Sequence, residues 1–256
     1  AETGGATAVA ESGTTDTFTI VLNAQPASDV VFAITSSDTG EATVTSSLTF
    51  TNANWDTPQT VTVTGVDDDI IDGTISSTIT VSINDGSSDD NFDDVADQTV
   101  SATTTDDDVA GFTVAETGGS TSVAETGTTD TFTIVLNAQP DSDVVFAITS
   151  SDTGEATVTS TLTFTNANWD TPQTVTVTGV DDNLVDGTIS STITVSINDG
   201  SSDNNFDAVA DQTVTATTTD DDVAGFTIAE SSGSTSVAET GTTDTFTIVL
   251  NAQPDS

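Results

Sequence analysis

Aspartates stand side by side at three places in this chain, and each place returns 114 residues later. The stretch Val66-Asp67-Asp68-Asp69-Ile70-Ile71-Asp72-Gly73 is matched by Asp181, Asp182, Asn183 and Asp186. Thr105-Asp106-Asp107-Asp108-Val109 is matched by Asp220, Asp221 and Asp222. The third, Gly86 to Asp94, loses two carboxylates in its second copy, where Asn204 and Ala208 replace Asp90 and Asp94, and it ranks lowest as a site. Clustered loop carboxylates are hard oxygen ligands, of which Ca²⁺ takes about six to eight. Aspartate also favours ordinary solvated turns. Against that plain reading stands the charge: 42 acidic residues, no Lys, Arg or His, and a net charge of -42. Adjacent carboxylates with no basic side chain to neutralise them point to bound cations. The spacing is not that of an EF-hand, because placing Gly73 as the central glycine leaves Ile70 at a ligand position and Ile79 where a bidentate Glu belongs. The glycine-rich nonapeptide of calcium β-rolls is absent too.

Other chemistry is poorly served by this alphabet. With no His, Cys, Lys or Tyr, the usual pairs of nucleophile and base cannot be assembled. Carboxylate pairs hydrolyse glycosides in some enzymes, but a structural role for these acids is the simpler expectation, and the chain is not expected to be an enzyme. Trp55 and Trp169 read as lids over a core in preference to sugar platforms, and threonine-rich runs such as Thr60-Val61-Thr62-Val63-Thr64 read as ordinary outward-facing strand positions. The charge disfavours nucleic acid and anionic membrane surfaces as partners. No apolar run approaches the roughly 20 residues of a membrane span, so direct membrane insertion is not expected, and any targeting signal is expected outside this stretch. Disulfides need Cys and isopeptide crosslinks need Lys, and the chain has neither. Metal ions are then the reinforcement that the composition most readily permits for a modest core. The lack of Lys and Arg also removes every trypsin-type cleavage site.

The elements that must position these loops are strands. Thr, Val, Ile and Phe alternate at period two between clusters of Gly, Asn, Asp and Pro, with no sustained helical periodicity. In the second copy Phe132, Ile134 and Leu136 share one face, as do Val144, Phe146 and Ile148, Leu162 and Phe164, Val175 and Val177, Ile193, Val195 and Ile197, and Val214 and Ala216. With a short strand near Gly111 to Glu116, about seven strands per copy result, the number expected of an immunoglobulin-like sandwich. Self-similarity sets the period: Asn-Ala-Asn-Trp-Asp-Thr-Pro-Gln recurs around Trp55 and Trp169, and 169 minus 55 is 114. Residues 1-109 form a first repeat without its first strand residues, 110-223 a second, and 224-256 the first strands of a third. The fold class is thus all-β, a tandem of immunoglobulin-like sandwiches.

The order Phe112-Thr113-Val114, Val123-Ala124-Glu125, Leu162-Thr163-Phe164, Val180-Asp181-Asp182, Asp186-Gly187 and Asp220-Asp221-Asp222 resembles a Calx-β domain over the whole repeat. It is also similar to the related repeats of giant bacterial surface adhesins. Calx-β domains are sandwiches that bind Ca²⁺ at one end. The resemblance implies the ligands Glu125, Asp181, Asp182, Asp186 and Asp220, Asp221 and Asp222 in the second copy. In the first it implies Glu11, Asp67, Asp68, Asp69, Asp72 and Asp106, Asp107 and Asp108. This sequence departs from the family in carrying Asp186 where Glu is common, and in carrying Asn183 in place of a counterpart to Asp69.

The expected function is that of a calcium-binding structural part of an extracellular, cell-surface protein, acting as a semi-rigid extender within a large adhesin. The alternative is a subunit that assembles with its own copies into a filament, sheath or surface layer. Expected partners are neighbouring repeats of the same chain, and copies of the chain through calcium-bridged contacts. Because the aspartate triad is followed at once by Val109-Ala110, an ion there is expected to stiffen the joint between repeats.

Overall fold

The computed structural model describes residues 2 and 4–254, which fall into two compact units, Ala1–Val109 and Ala110–Ser256. The first contains eight strands: β1 (Thr7–Ala10), β2 (Thr15–Ile20), β3 (Val30–Ser36), β4 (Ala42–Val44), β5 (Ser47–Phe50), β6 (Gln59–Gly65), β7 (Ile75–Ile83) and β8 (Gln98–Thr105). They form a sheet in the order β1-β8-β7-β3-β5 and a second in the order β2-β6-β4. The second unit begins with β9 (Phe112–Glu116), whose last residue pairs with Phe132 as Glu2 bridges Phe18 in the first. Then come β10 (Thr121–Ala124), β11 (Thr129–Leu136), β12 (Val144–Ser150), β13 (Ala156–Val158), β14 (Thr161–Phe164), β15 (Gln173–Gly179), β16 (Ile189–Ile197) and β17 (Gln212–Thr219). Their orders are β10-β17-β16-β12-β14 and β13-β15-β11-β9. Each unit is a β-sandwich, as the alternating pattern predicts. Residues beyond 223 belong to the second unit and supply a two-stranded ribbon, β18 (Phe226–Glu230) and β19 (Phe246–Leu250).

Alternation decides which side chains meet between the sheets, since successive residues of a strand face opposite ways. In β15, Val175 and Val177 are fully buried while Thr176 between them is only partly covered. Phe112, Phe146 and Phe164 stack edge to face in the second core, with ring centroids 4.9 and 5.7 Å apart. Phe32 and Phe50 do the same in the first, at 5.8 Å. Trp55 is half-buried and packs on that core, and its carbonyl accepts a hydrogen bond from the Leu22 N–H.

Two details of the opening strands set up the site. β9 pairs antiparallel with β11 in one sheet, and then Gly118 and Gly119, at φ of 79° and 87°, turn the chain across to the other sheet. There β10 runs parallel to β17, from Thr121 opposite Ala216 to Ala124 opposite Thr219. In the first unit β1 and β8 pair in the same way, ending at Ala10 opposite Thr105. The strands preceding Glu11 and Asp106 therefore stop at the same end of the sandwich. Gly179, the last residue of β15, passes so close that a Cβ would overlap the Ala124 carbonyl oxygen; Gly65 stands likewise against Ala10.

Candidate metal centre

Four segments converge at that end of each unit. In the first they are the turn after β1 with Glu11, the residue before β4 with Glu41, the β6–β7 loop with Asp72, and the exit after β8 with Asp106 and Asp108. Strand register brings them together: Ala42 opposes Gly65, and Ile75 opposes Thr104. Backbone bonds then fix the acids. Glu11 N–H donates to the Thr105 carbonyl at 3.1 Å, and Val66 N–H donates to the Glu41 carbonyl at 2.9 Å. Asp106 is held by N–H groups on both its oxygens, from Gly73 at 2.8 Å and Asp108 at 2.7 Å. The second unit repeats the arrangement, with Asp220 accepting from Gly187 at 2.8 Å and Asp222 at 2.7 Å.

Among the described residues the carboxylate oxygens make two groups in each unit, and within each group they lie within 4.8 Å of one another. In the first unit these are Glu11, Asp106 and Asp108, and Glu11, Glu41 and Asp72. In the second they are Glu125, Asp220 and Asp222, and Glu125, Glu155 and Asp186. Glu11 and Glu125 are shared by both groups of their unit and are 1% exposed; Glu41 and Glu155 are 6% exposed. Glu11 Oε1, Glu41 Oε2, both oxygens of Glu125 and Glu155 Oε2 are buried with no hydrogen-bond partner, as are Asp108 Oδ2 and Asp222 Oδ2.

Burial of like charges has the expected electrostatic consequence. Burial pushes the Glu11 carboxyl up to about 7; the Asp107 N–H, donating to Oε2 at 3.4 Å, opposes this, and the charges of Asp106, Asp68 and Glu41 add to it. Glu125 is likewise pushed to about 7 by burial. Asp108 rises to about 6 through burial and then the charge of Asp106. Glu41, Glu155 and Asp222 are raised for the same leading reason. The charge of Asp72 and a hydrogen bond with it add to the rise at Glu41. Asp220 moves the other way, lowered by the Gly187 and Asp222 N–H groups.

An acid elsewhere in the fold shows what a satisfied buried carboxylate looks like. Asp89, 4% exposed, accepts from the N–H groups of Ala27 at 2.6 Å, Ser28 at 3.0 Å and Asn91 at 3.1 Å. Those N–H groups, Asn91 first, lower it to about 2. The third acidic loop is thus a structural cap. At Glu11 Oε1 and Glu41 Oε2 donors are missing, and no basic side chain exists in the chain to replace them. A buried carboxylate so placed must take up a proton or a cation.

Of the residues expected from the sequence, the structure groups Glu11, Asp72, Asp106 and Asp108 in the first unit and Glu125, Asp186, Asp220 and Asp222 in the second. Asp68 lies beside the first groups: its charge acts on Glu11 and Glu41, and its Oδ1 accepts from the Ile70 N–H at 2.8 Å. Asp182 does the same for Glu125 and Glu155. Asp67 and Asp69 act on Asp108 by charge, as Asp181 acts on Asp222, but all three stand outside the oxygen groups. Asp107 and Asp221 are outside them too. Sequence reasoning missed Glu41 and Glu155. The available signal was compositional: only 8 of the 42 acids are Glu, and Gly40-Glu41-Ala42 returns unchanged as Gly154-Glu155-Ala156.

No protein-family model matches the chain, and no curated protein matches it in sequence. Among solved structures it is similar to the calcium binding domain CBD12 of CALX1.1, with 14% identity over 75% of this chain and 77% of that one and a TM-score of 0.32. It is similar to domains 4 and 5 of the S-layer protein SbsC, with 18% identity, 73% and 70% coverage and a TM-score of 0.33. The apo-form Calx CBD1 domain matches 43% of this chain over 98% of its own length, at 14% identity and a TM-score of 0.32. The likeness is to the sandwich fold alone.

Proposed function

We propose that each sandwich binds calcium through its convergent acids and that the chain is a structural repeat of an extracellular protein. The observation that carries this reading is the buried pair Glu11 and Glu41, each with an oxygen that has no hydrogen-bond partner, repeated as Glu125 and Glu155. Oxygen-only ligands suit Ca²⁺, and Mg²⁺, which keeps its waters, suits a buried all-carboxylate group less well. Two groups sharing one glutamate give two ion positions per unit, with Glu11 or Glu125 as the bridge. Five carboxylates (Glu11, Glu41, Asp72, Asp106 and Asp108) then face two divalent ions, so charges of -5 and +4 nearly cancel. Sites of this kind in extracellular modules work at about 10⁻⁴ to 10⁻³ M calcium, a concentration found outside cells.

The ion would tie the exit segment Asp106 to Asp108 to the body of its sandwich, immediately before Val109, where the first unit ends. A row of such repeats would be stiff with calcium and loose without it, which suits an extender in a surface adhesin. Isothermal titration of the chelated chain with CaCl₂ tests the reading. The expected result is two ions per unit, with Glu11→Gln and Glu125→Gln each removing binding in its own unit. Absence of binding heat together with an unchanged melting profile in calcium would overturn it.

A further inference from the structure

The sequence contains four Asp-Gly pairs, beginning at Asp72, Asp85, Asp186 and Asp199. An aspartyl side chain followed by glycine can close onto the next backbone nitrogen as a five-membered succinimide, because glycine has no Cβ to obstruct the approach. The four pairs stand in different surroundings. Asp85-Gly86 and Asp199-Gly200 open 3₁₀ turns, which are closed by bonds from Ser87 N–H to the Asn84 carbonyl and from Ser201 N–H to the Asn198 carbonyl, both at 2.9 Å. Among the described residues no carboxylate accepts from the Gly86 or Gly200 N–H.

Asp72-Gly73 and Asp186-Gly187 lie instead in exposed loop backbone, with glycine φ of 76° and 80°. The Gly73 N–H, whose proton must leave for the nitrogen to attack, donates to Asp106 Oδ2 at 2.8 Å, and the Gly187 N–H donates to Asp220 Oδ2 at 2.8 Å. The carboxyl to be attacked has acids on its other side. Asp72 hydrogen-bonds with Glu41 and lies within 4.8 Å of Glu41 and Glu11 oxygens, as Asp186 lies within 4.8 Å of Glu155 and Glu125 oxygens. A proton acceptor on the attacking nitrogen and a second carboxyl beside the reacting one are the two parts of general acid–base catalysis.

We infer that Asp72-Gly73 and Asp186-Gly187 are self-modifying sites, at which the glycine nitrogen closes onto the preceding side chain and the ring reopens to isoaspartate. In closure, a bond forms between Gly73 N and Asp72 Cγ. The N–H proton passes to Asp106 and on to the departing hydroxyl, which leaves as water. Water then returns to one of the two ring carbonyls. Addition at Cγ restores aspartate, and addition at the main-chain carbonyl carbon leaves the chain running through Cβ and Cγ as isoaspartate. No other reactant is needed. The product has one more main-chain carbon, and its free carboxylate sits directly on Cα, withdrawn from Glu11 and Glu41. An ion held by Asp72 and Asp106 would engage the carboxyl and the base together and stop the reaction. That last step rests on the calcium reading proposed above; the cyclisation does not. A repeat kept without calcium would then destroy its own ligand, one site at a time.

The test incubates the full chain at neutral pH in chelator and in calcium, maps peptic peptides by mass spectrometry and counts isoaspartate by enzymatic carboxyl methylation. In chelator, isoaspartate should form on the order of 10²-fold faster at Asp72 and Asp186 than at Asp85 and Asp199, the lower end of what positioned acid–base groups supply. Unfolding the chain in urea should level the four rates. Asp106→Asn should slow Asp72 by a similar factor, with Asp186 unchanged as the internal control. Equal rates at all four pairs in the folded chain, or a preference for Asp72 and Asp186 that survives urea, would overturn the inference. So would a faster reaction at Asp72 in Asp106→Asn while Asp85 stays slow, since Asp106 would then only restrain the Gly73 N–H. Calcium should suppress both sites at least about tenfold. The expected site preference with equal rates in calcium and in chelator would uphold the cyclisation and overturn calcium ligation by Asp72 and Asp186.

Discussion

Raising the pH from 6 to 8 in the presence of a chelator should destabilise both sandwiches, and the size of the effect is set by the bridging glutamates. Burial lifts Glu11 and Glu125 from 4.5 to about 7. A carboxyl whose folded pKa lies above its unfolded value holds its proton more tightly in the folded state. The stability it confers is fully present below about 4.5 and is lost as pH rises through about 7. At about 1.4 kcal/mol for each pH unit separating the folded and unfolded values, the whole contribution is on the order of 3 kcal/mol per sandwich. About 1.3 kcal/mol of that falls between pH 6 and 8, or about 5 °C in the melting midpoint of a domain this size. Carboxylates of ordinary pKa are already ionised by about pH 6. General relief of the net charge therefore does not contribute in this window, and the slope belongs to the raised acids. Calorimetric scans in chelator at closely spaced pH values measure it. The double variant Glu11→Gln, Glu125→Gln, which holds those positions neutral, should greatly reduce the slope. In saturating calcium the sign should reverse, because protons then compete with the ion. A midpoint in chelator that is flat or rises from pH 6 to 8 would refute the claim that burial raises these carboxyls more than their few donors lower them.

Three further outcomes are expected. Glu155→Gln removes one ligand charge from the second unit and should weaken its calcium binding about tenfold, about 1.4 kcal/mol, by isothermal titration. Asp69→Asn, which copies Asn183 into the first unit, should leave affinity within about twofold, because Asp69 lies outside both oxygen groups and acts only through a partly screened charge. Gly179→Ala drives a methyl group into the Ala124 carbonyl oxygen and should cost about 3 kcal/mol of stability in chemical denaturation, with the first unit unaffected.

The repeat period, the strands and the location of the acidic loops were legible in the sequence, because each is a local property. Alternation at period two places Val175 and Val177 on one face whatever lies opposite, and adjacent aspartates remain in a loop wherever that loop is carried. Choosing ligands among those acids was not local. Glu11, Glu41, Asp72 and Asp106 stand about thirty residues apart, and they meet because Ala10 ends opposite Thr105 and Ala42 lies opposite Gly65. That register also draws Glu41 into the centre, although its neighbours Gly40 and Ala42 read as the start of an ordinary strand. The same tertiary contacts exclude Asp67 and Asp69 from the oxygen groups and give Asp89 its three N–H donors. Charge is written in the composition, but whether a given carboxylate is solvated, hydrogen-bonded or left to find a cation depends on which backbone groups packing brings within reach.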